Sequence, residues 1–259
     1  MKTTSDFCVA FSVDDNYIQY AMSLLRGLKQ HCTGADIVCR SIDMSDDNIV
    51  KLRQIHDTVK IIRDNPHAKT TRTIFKKLSD PTELYWTYKG RINTREGIKN
   101  IQKTMYSERA VYSCHSRFKT IIELLPKYKK LMTLDVDTVI RSDIYHMFTD
   151  YIDSELYIVP IREDGVVKLF NNEGLLLITN TARSVSFFNK VHDHIYTGDN
   201  YLEWDIDTEA LTETFSNSNI SIGHLEQTYK DKKHLEESIM WSGDGPRKKQ
   251  TRFKQAVHE

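Results

Sequence analysis

A chain of 259 residues is long enough for one large α/β domain or two small ones, with ample material for a core. Lys plus Arg equals Asp plus Glu at 36 each, so the overall balance makes no case for a polyanionic partner, and any such case must come from local segregation. The opening MKTTSDFCVAFSV lacks the small-residue cleavage pattern of a signal peptide, and no run approaches the roughly 18–20 apolar residues of a membrane span, so a soluble, cytoplasmic protein is expected. Cys8, Cys32, Cys39 and Cys114 show no Cys-x-x-Cys spacing and read as reduced structural thiols.

The first element is an apolar, strand-like run, FCVAFSV at 7–13. Asp14, Asp15 and Asn16 break it, and a helical pattern follows through Tyr20, Leu24, Leu25 and Leu28. DIVCRSI at 36–42 reads as a second strand, SDDNIVKLRQIH from Ser45 as a helix capped by Ser or Asp, and TVKIIR from Thr58 as a third strand. This alternation predicts βαβ units and a largely parallel sheet, whose ligands gather at the carboxyl ends of its strands. From Pro66 to Tyr106 the alternation fails, and the segment 66–106, rich in basic and aromatic residues, reads as an insertion or excursion. A helix over 107–125 then leads through Pro126 to LMTLDVDTVI at 131–140, which reads as a buried strand interrupted by two acids. A helix or turn is predicted at 142–152, strands at ELYIVPI and LLLIT, a helix from Ala182 to His194, and another over 207–215 with an acidic first turn that favours the helix dipole. The tail 245–259 carries Arg247, Lys248, Lys249, Arg252 and Lys254.

Asp135 and Asp137 are the most informative pair. Burying ionised carboxylates is costly unless a cation pairs them, and two carboxylates two residues apart at the end of an apolar strand suit a hard divalent metal that could also hold a diphosphate. The strand that ends in Asp14, Asp15 and Asn16 before a helix offers hydrogen-bond acceptors to a base and ribose, with helix N-terminal amides available for phosphate. The competing reading is that Asp14 or Asp15 caps the helix.

Five blocks occur in order: FSVDDNYIQY at 11–20, SRF at 116–118, LDVDTVI at 134–140, NEGLLLI at 172–178 and DTEAL at 207–211. Together they resemble the family 8 retaining glycosyltransferases, the group that includes glycogenin and bacterial lipopolysaccharide hexosyltransferases. The resemblance implies a GT-A fold, a Rossmann-like mixed and mostly parallel sheet flanked by helices, with 1–259 as a single domain. It also implies a nucleotide site along Phe11, Ser12, Val13, Asp14 and Asn16, with Asp14 and Asn16 reading uracil and ribose and Tyr17 stacking on or flanking the base. By the same resemblance Val136, Gly174 and Gly245 line the donor site and Arg117 reaches sugar hydroxyls or phosphate; on its residues alone Arg117 is equally a solvated helix arginine. Asn172 would face the donor sugar, with the register against Asn171 open by one residue, and Asp207 would lie near the anomeric carbon, with a helix cap as its alternative and Asp205 as a substitute.

The family closes its site with His-x-x-Gly-x-x-Lys, and here the chain departs from it. In SGDGPRK at 242–248, Gly245 and Lys248 fit, but Ser242 stands where the metal histidine belongs; Asp244, His224 or water are the candidates to replace it. The implied reaction is Mn²⁺- or Mg²⁺-dependent transfer of a hexose, glucose or galactose, from a UDP-sugar to a hydroxyl of a glycan or glycolipid, with retention, Lys248 neutralising the leaving diphosphate. The basic stretch 82–103 and the tail suit an anionic membrane surface or a nucleic acid such as hydroxymethylated DNA, with Trp86 and Tyr88 stacking on a flipped base, or else form a solvated face and a disordered tail. A non-catalytic nucleotide-sugar-binding relative is the reading from another class. A nucleotidyltransferase is disfavoured, because DDNY replaces the Gly-rich phosphate loop after the first strand.

Overall fold

The apolar run that opens the chain forms β1 (Phe7–Asp14), and its alternation is that of a strand buried on both faces: Val9, Phe11 and Val13 turn to one side, Cys8 and Ala10 to the other. The computed structural model describes residues 5–66, 85–87, 90–92, 108–163, 166–170, 174–197, 206–243 and 245–258. A short 3-10 turn leads into α1 (Ile18–His31), followed by β2 (Asp36–Ile42), α2 (Asp46–Ile55) and β3 (Lys60–Asp64), as the sequence pattern predicts. A hairpin, β4 (Tyr85–Thr87) with β5 (Gly90–Ile92), lies inside the segment 66–106, most of which is outside the described residues.

α3 (Glu108–Leu124) ends where Pro126 enters a 3-10 turn, and β6 (Lys130–Leu134) follows. The next residues correct the reading of 131–140 as one strand. The chain turns at Asp135, with the Thr138 amide donating to the Asp135 carbonyl at 3.1 Å, and resumes as β7 (Thr138–Ile140), which leaves the main sheet. α4 (Met147–Asp150), β8 (Leu156–Ile158), the hairpin β9 (Ile161–Glu163) with β10 (Val166–Lys168), and β11 (Leu175–Thr179) come next. α5 (Ala182–Tyr196) starts with a capping box in which Thr181 and Ser184 exchange side-chain and backbone bonds. α6 (Ile206–Ser216), β12 (Ile222–His224), β13 (Met240–Ser242) and α7 (Thr251–His258) complete the described elements.

The main sheet has the order β12-β8-β11-β6-β1-β2-β3, and β11 alone runs against its neighbours. It is the mixed, mostly parallel sheet flanked by helices that was expected. One face carries Leu24, Leu25 and Leu28 of α1 and Ile49 and Leu52 of α2; the other carries Phe118 and Ile121 of α3 and Phe187 and Phe188 of α5. Each such side chain contributes about 1.5–3 kcal/mol on burial. The two layers fix the carboxyl ends of β1 and β6 side by side.

The C-terminal tail, for which disorder was one of the readings, forms a helix over most of its length. β13 pairs antiparallel with β7, setting Ser242 opposite Thr138, so the chain returns to the Asp-x-Asp turn. α7 then docks on α1: Phe253 and Val257 are buried with Val139 and Trp241 against Tyr20, and Arg26 Nη2 donates to the Val257 carbonyl at 2.8 Å. The basic residues sit on an anchored helix and the turn before it.

Candidate active site

The turn between β6 and β7 presents Asp135 and Asp137 at the carboxyl edge of the sheet, and each carboxylate meets a cation. Arg117 Nη2 donates to Asp135 Oδ1 at 2.9 Å, while Arg117 Nε donates to the Cys114 carbonyl at 2.9 Å, which locks the guanidinium against its own helix. Lys248 Nζ lies 2.7 Å from Asp137 Oδ2. Burial alone would favour the neutral amine of Lys248; Asp137, aided by Tyr17, outweighs it and holds the ammonium above the usual lysine range. The backbone of the turn is pinned from both sides, by the Asp135 amide donating to the Gly174 carbonyl at 2.7 Å and the Gly243 amide donating to the Asp137 carbonyl at 3.0 Å. Val136 packs on the α1 face of the core.

Gly174 is required by this approach. A Cβ on it would lie 2.0 Å from Asp135 Oδ2 and 3.1 Å from Lys230 Nζ, so any larger residue would push the carboxylate aside. Leu134, Asp135, Thr138, Gly174, Lys230 and Ser242 line one small cleft there.

At the end of β1, Phe11 and Val13 point into the core. Asp14 is 4% exposed and accepts the Asn16 amide at 3.1 Å and Asn16 Nδ2 at 3.3 Å, so it does cap the turn that starts α1. Burial raises its pKa above the ordinary carboxylate value, against the opposing pull of Asn16 and Arg109. Asp15 points elsewhere, accepting the Ser45 amide at 3.1 Å and Asn48 Nδ2 at 2.9 Å, and so ties the turn to the start of α2. Ser12 Oγ on β1, Thr133 Oγ1 on β6, and Ser113 Oγ and Arg109 Nε on α3 are buried with no hydrogen-bond partner among the described residues. They lie on three elements that pack on one another, and water or a polar ligand would satisfy them.

α3 also brings a residue that the sequence did not single out. His115 is fully buried, and its Nε2 lies 4.0 Å from Asp207 Oδ1 at the start of α6. One turn of α3 therefore touches both acids, Asp135 through Arg117 and Asp207 through His115. The neighbourhood registers on Cys114: burial pushes its thiol up to about 12, with Arg117 opposing and Asp135, Asp207 and Asp137 adding to the rise. Asp207 takes the Thr208 amide at 2.9 Å. A lone histidine within a helix carries no sequence signal for this role.

Tyr17 stands at the other rim, with Lys248 Nζ 3.2 Å from its hydroxyl and 4.5 Å from its ring centroid. Gly245 opens the 3-10 turn, Gly245–Lys249, that carries Lys248. Asn172 and Asp244, with Asn171 and Asp205, lie outside the described residues. His224 is not brought to the pair: it ends β12, three strands from β6, about 14 Å by ordinary strand spacing. Another donor group, His194 of α5 with Glu209 and Glu213 of α6, is an exposed cluster in which His194 Nδ1 sits 3.5 Å from Glu213.

The residues at the β6–β7 turn fit a divalent cation. The donors are two hard carboxylates, Ser242 lines the same cleft as Asp135, and the Lys248 ammonium on Asp137 shows that this carboxylate accepts a cation.

The mixed sheet with its single reversed strand, flanked by helices, is of the GT-A class, the fold shared with the solved structures below. The chain belongs to glycosyl transferase family 8, whose model matches residues 8–204. Among solved structures it is similar to the glycosyltransferase GlyE of Streptococcus pneumoniae TIGR4, at 15% identity and TM-score 0.59, covering 100% of this chain and 61% of that one. It is similar also to the bifunctional glycosyltransferase WbbM, at 13% identity and TM-score 0.58, covering 99% of this chain and 50% of that one. The galactosyltransferase LgtC, solved with donor and acceptor sugar analogs, gives 13% identity and TM-score 0.55, with 97% and 95% covered. The chain thus spans less than two thirds of GlyE and WbbM, and at these identities the likeness is one of fold. No curated protein sequence matches the chain.

Proposed function

We propose that this chain transfers a hexose, glucose or galactose, from a UDP-sugar to a hydroxyl of a glycan or glycolipid, with retention of configuration. The observation that carries the reading is the convergence of Asp14, Arg117, Asp135, Asp137, Tyr17 and Lys248 at the adjoining carboxyl ends of β1 and β6. In this reading the uridine lies along the end of β1, with Asp14 and the Asn16 side chain as partners and Tyr17 against the base. Asp135 and Asp137 would hold Mn²⁺ or Mg²⁺, which supplies a positive charge for the diphosphate as it departs. Arg117 keeps Asp135 aimed at the site and puts a positive charge beside the place proposed for phosphate and sugar hydroxyls. Lys248 adds a charge to the leaving group, and the turn that carries it, held by α7, screens the site from water. Asp207, backed by His115, is the carboxylate nearest to a nucleophile's role, and Asn172 would face the donor sugar.

We further propose that 1–259 act as one catalytic domain, because β13 on β7 and α7 on α1 bind the tail to the same core that carries the family-matched range 8–204. Among the described residues no helix is long and apolar enough to cross a membrane. The stretch 82–103 offered to a nucleic-acid or membrane acceptor lies largely outside the described residues, Tyr88 and the Trp86 side chain included, and the glycan acceptor is proposed on family membership.

The test is thermal stabilisation of the full chain by a panel of nucleotide sugars, each with and without Mn²⁺; a ligand at a hundred times its dissociation constant adds about 2.7 kcal/mol. A Mn²⁺-dependent shift with UDP-glucose or UDP-galactose, larger than with GDP- or ADP-sugars, supports the assignment. No shift with any donor overturns it and leaves a non-transferase.

A further inference from the structure

The two acids of the turn are neutralised by different kinds of cation. Arg117 is held at the middle of α3 by its bond to the Cys114 carbonyl, so its pairing with Asp135 is a fixed part of the scaffold. Lys248 rides on a short 3-10 turn at the end of a flexible four-carbon stem. Its ammonium nevertheless has a complete niche: the Asp137 carboxylate at 2.7 Å, the Tyr17 hydroxyl at 3.2 Å, and the ring faces of Tyr17 and Tyr20 at 4.5 and 5.6 Å. The turn itself is held in place by Phe253, fully buried on α7.

That niche conflicts with the function proposed above, on which this inference rests. A divalent ion on Asp137 and an ammonium on the same carboxylate repel each other at close range, in a site with only 10% of the Asp137 side chain exposed. Metal entry therefore requires the ammonium to leave. A diphosphate arriving with the metal offers it a new anionic partner, and its departure uncovers the Tyr17 ring for a base.

We propose that Lys248 is a tethered counter-ion that keeps Asp137 closed to metal until a nucleoside diphosphate draws it away, so that metal and nucleotide bind synergistically through this one side chain. The coupling is reciprocal, since each ligand must favour the other by the same factor.

The experiment is Mn²⁺ binding to the full-length chain, read from the free-ion paramagnetic signal, with UDP binding read separately by calorimetry with and without Mn²⁺. For the unaltered protein, UDP and Mn²⁺ should strengthen each other about tenfold or more. Lys248→Met should bind Mn²⁺ alone about tenfold more tightly than the unaltered protein, and its coupling to UDP should shrink toward unity. Lys248→Arg, which keeps the charge, should retain weak binding of Mn²⁺ alone and measurable coupling, which separates charge from packing. Mn²⁺ binding by Lys248→Met that is equal to or weaker than that of the unaltered protein, with coupling undiminished, overturns the counter-ion role while leaving the donor site standing. Failure of every form to bind Mn²⁺ in the presence of UDP overturns the metal-dependent reading and this inference together.

Discussion

The two sides of the Asp-x-Asp turn are built by different means. On the α3 side, Asp135, Arg117, His115 and Asp207 are held by long elements packed into the main core, and their geometry follows from the fold. On the C-terminal side, Asp137 and Lys248 meet through a three-residue strand, a 3-10 turn and an eight-residue helix whose buried cluster is small. The first side suits orientation that must not change during a reaction. The second suits a contact that has to be made and broken. Rigidity here follows the size of the core behind each charge.

The comparison breaks most severely if the rigid side is cut. Arg117→Met leaves Asp135 beside Cys114 without its fixed partner, and turnover of UDP-sugar should fall about a hundredfold or more while Mn²⁺ binding survives. A variant that keeps near-normal turnover would show that the α3 side does not orient the site. On the C-terminal side, Phe253→Ala opens a cavity in a small cluster and should cost about 3–5 kcal/mol of local docking. Faster hydrogen exchange confined to the neighbourhood of α7 and the 3-10 turn would sharpen the distinction, and uniform loss across β1 and β6 would erase it. His115→Phe should lower turnover about 10- to 100-fold with donor affinity unchanged, and His115→Gln should recover part of the loss. Equal loss of affinity and turnover would make His115 a packing residue.

The smallest effects concern pH, and two buried acids predict opposite signs. Burial raises the Asp14 pKa above its unfolded value, so ionisation there opposes folding: the cost is absent at low pH and appears as pH rises above about 4. Asp14→Asn should therefore raise the melting temperature at pH 7, lose that advantage in acid, and weaken UDP binding. For Glu155, burial also favours the neutral acid, but bonds from Thr181, Arg183 and the Ser221 amide outweigh it and lower its pKa. Its contribution is present above the unfolded value and is lost as pH falls through the folded one, so Glu155→Gln should destabilise at pH 7 and less so in acid. Structural acids are compensated, whereas Asp14 retains a cost that a ligand could relieve.

Periodicity explains what could be read in advance. α1, α2, α3, α5 and α6 each bury one face at helical spacing, β1 and β2 are short apolar runs buried on both faces, and Asp14 and Asp135 stand where apolar runs end. At Gly174 the close neighbour in the structure is the Asp135 carboxylate, a contact between residues 39 positions apart that no local pattern names. The three-residue strands β7, β12 and β13 are too short to show alternation, so the break after Leu134 and the return of the tail to the turn were not visible. α7 had one faint signal, Phe253 and Val257 at helical spacing within a run dominated by basic residues. The partnership of Lys248 with Asp137 joins residues 111 positions apart and depends on that return, which no local pattern encodes.

The central claim is that the carboxylate pair of this turn is the donor's metal and diphosphate site, and it is tested most directly on Asp137→Asn. Mn²⁺-dependent release of UDP from UDP-glucose or UDP-galactose would be measured beside the melting temperature of the same sample. Loss of release by about a hundredfold or more at a nearly unchanged melting temperature is the predicted result. Release at the unaltered rate would contradict the account and move the chemistry away from the β6–β7 turn.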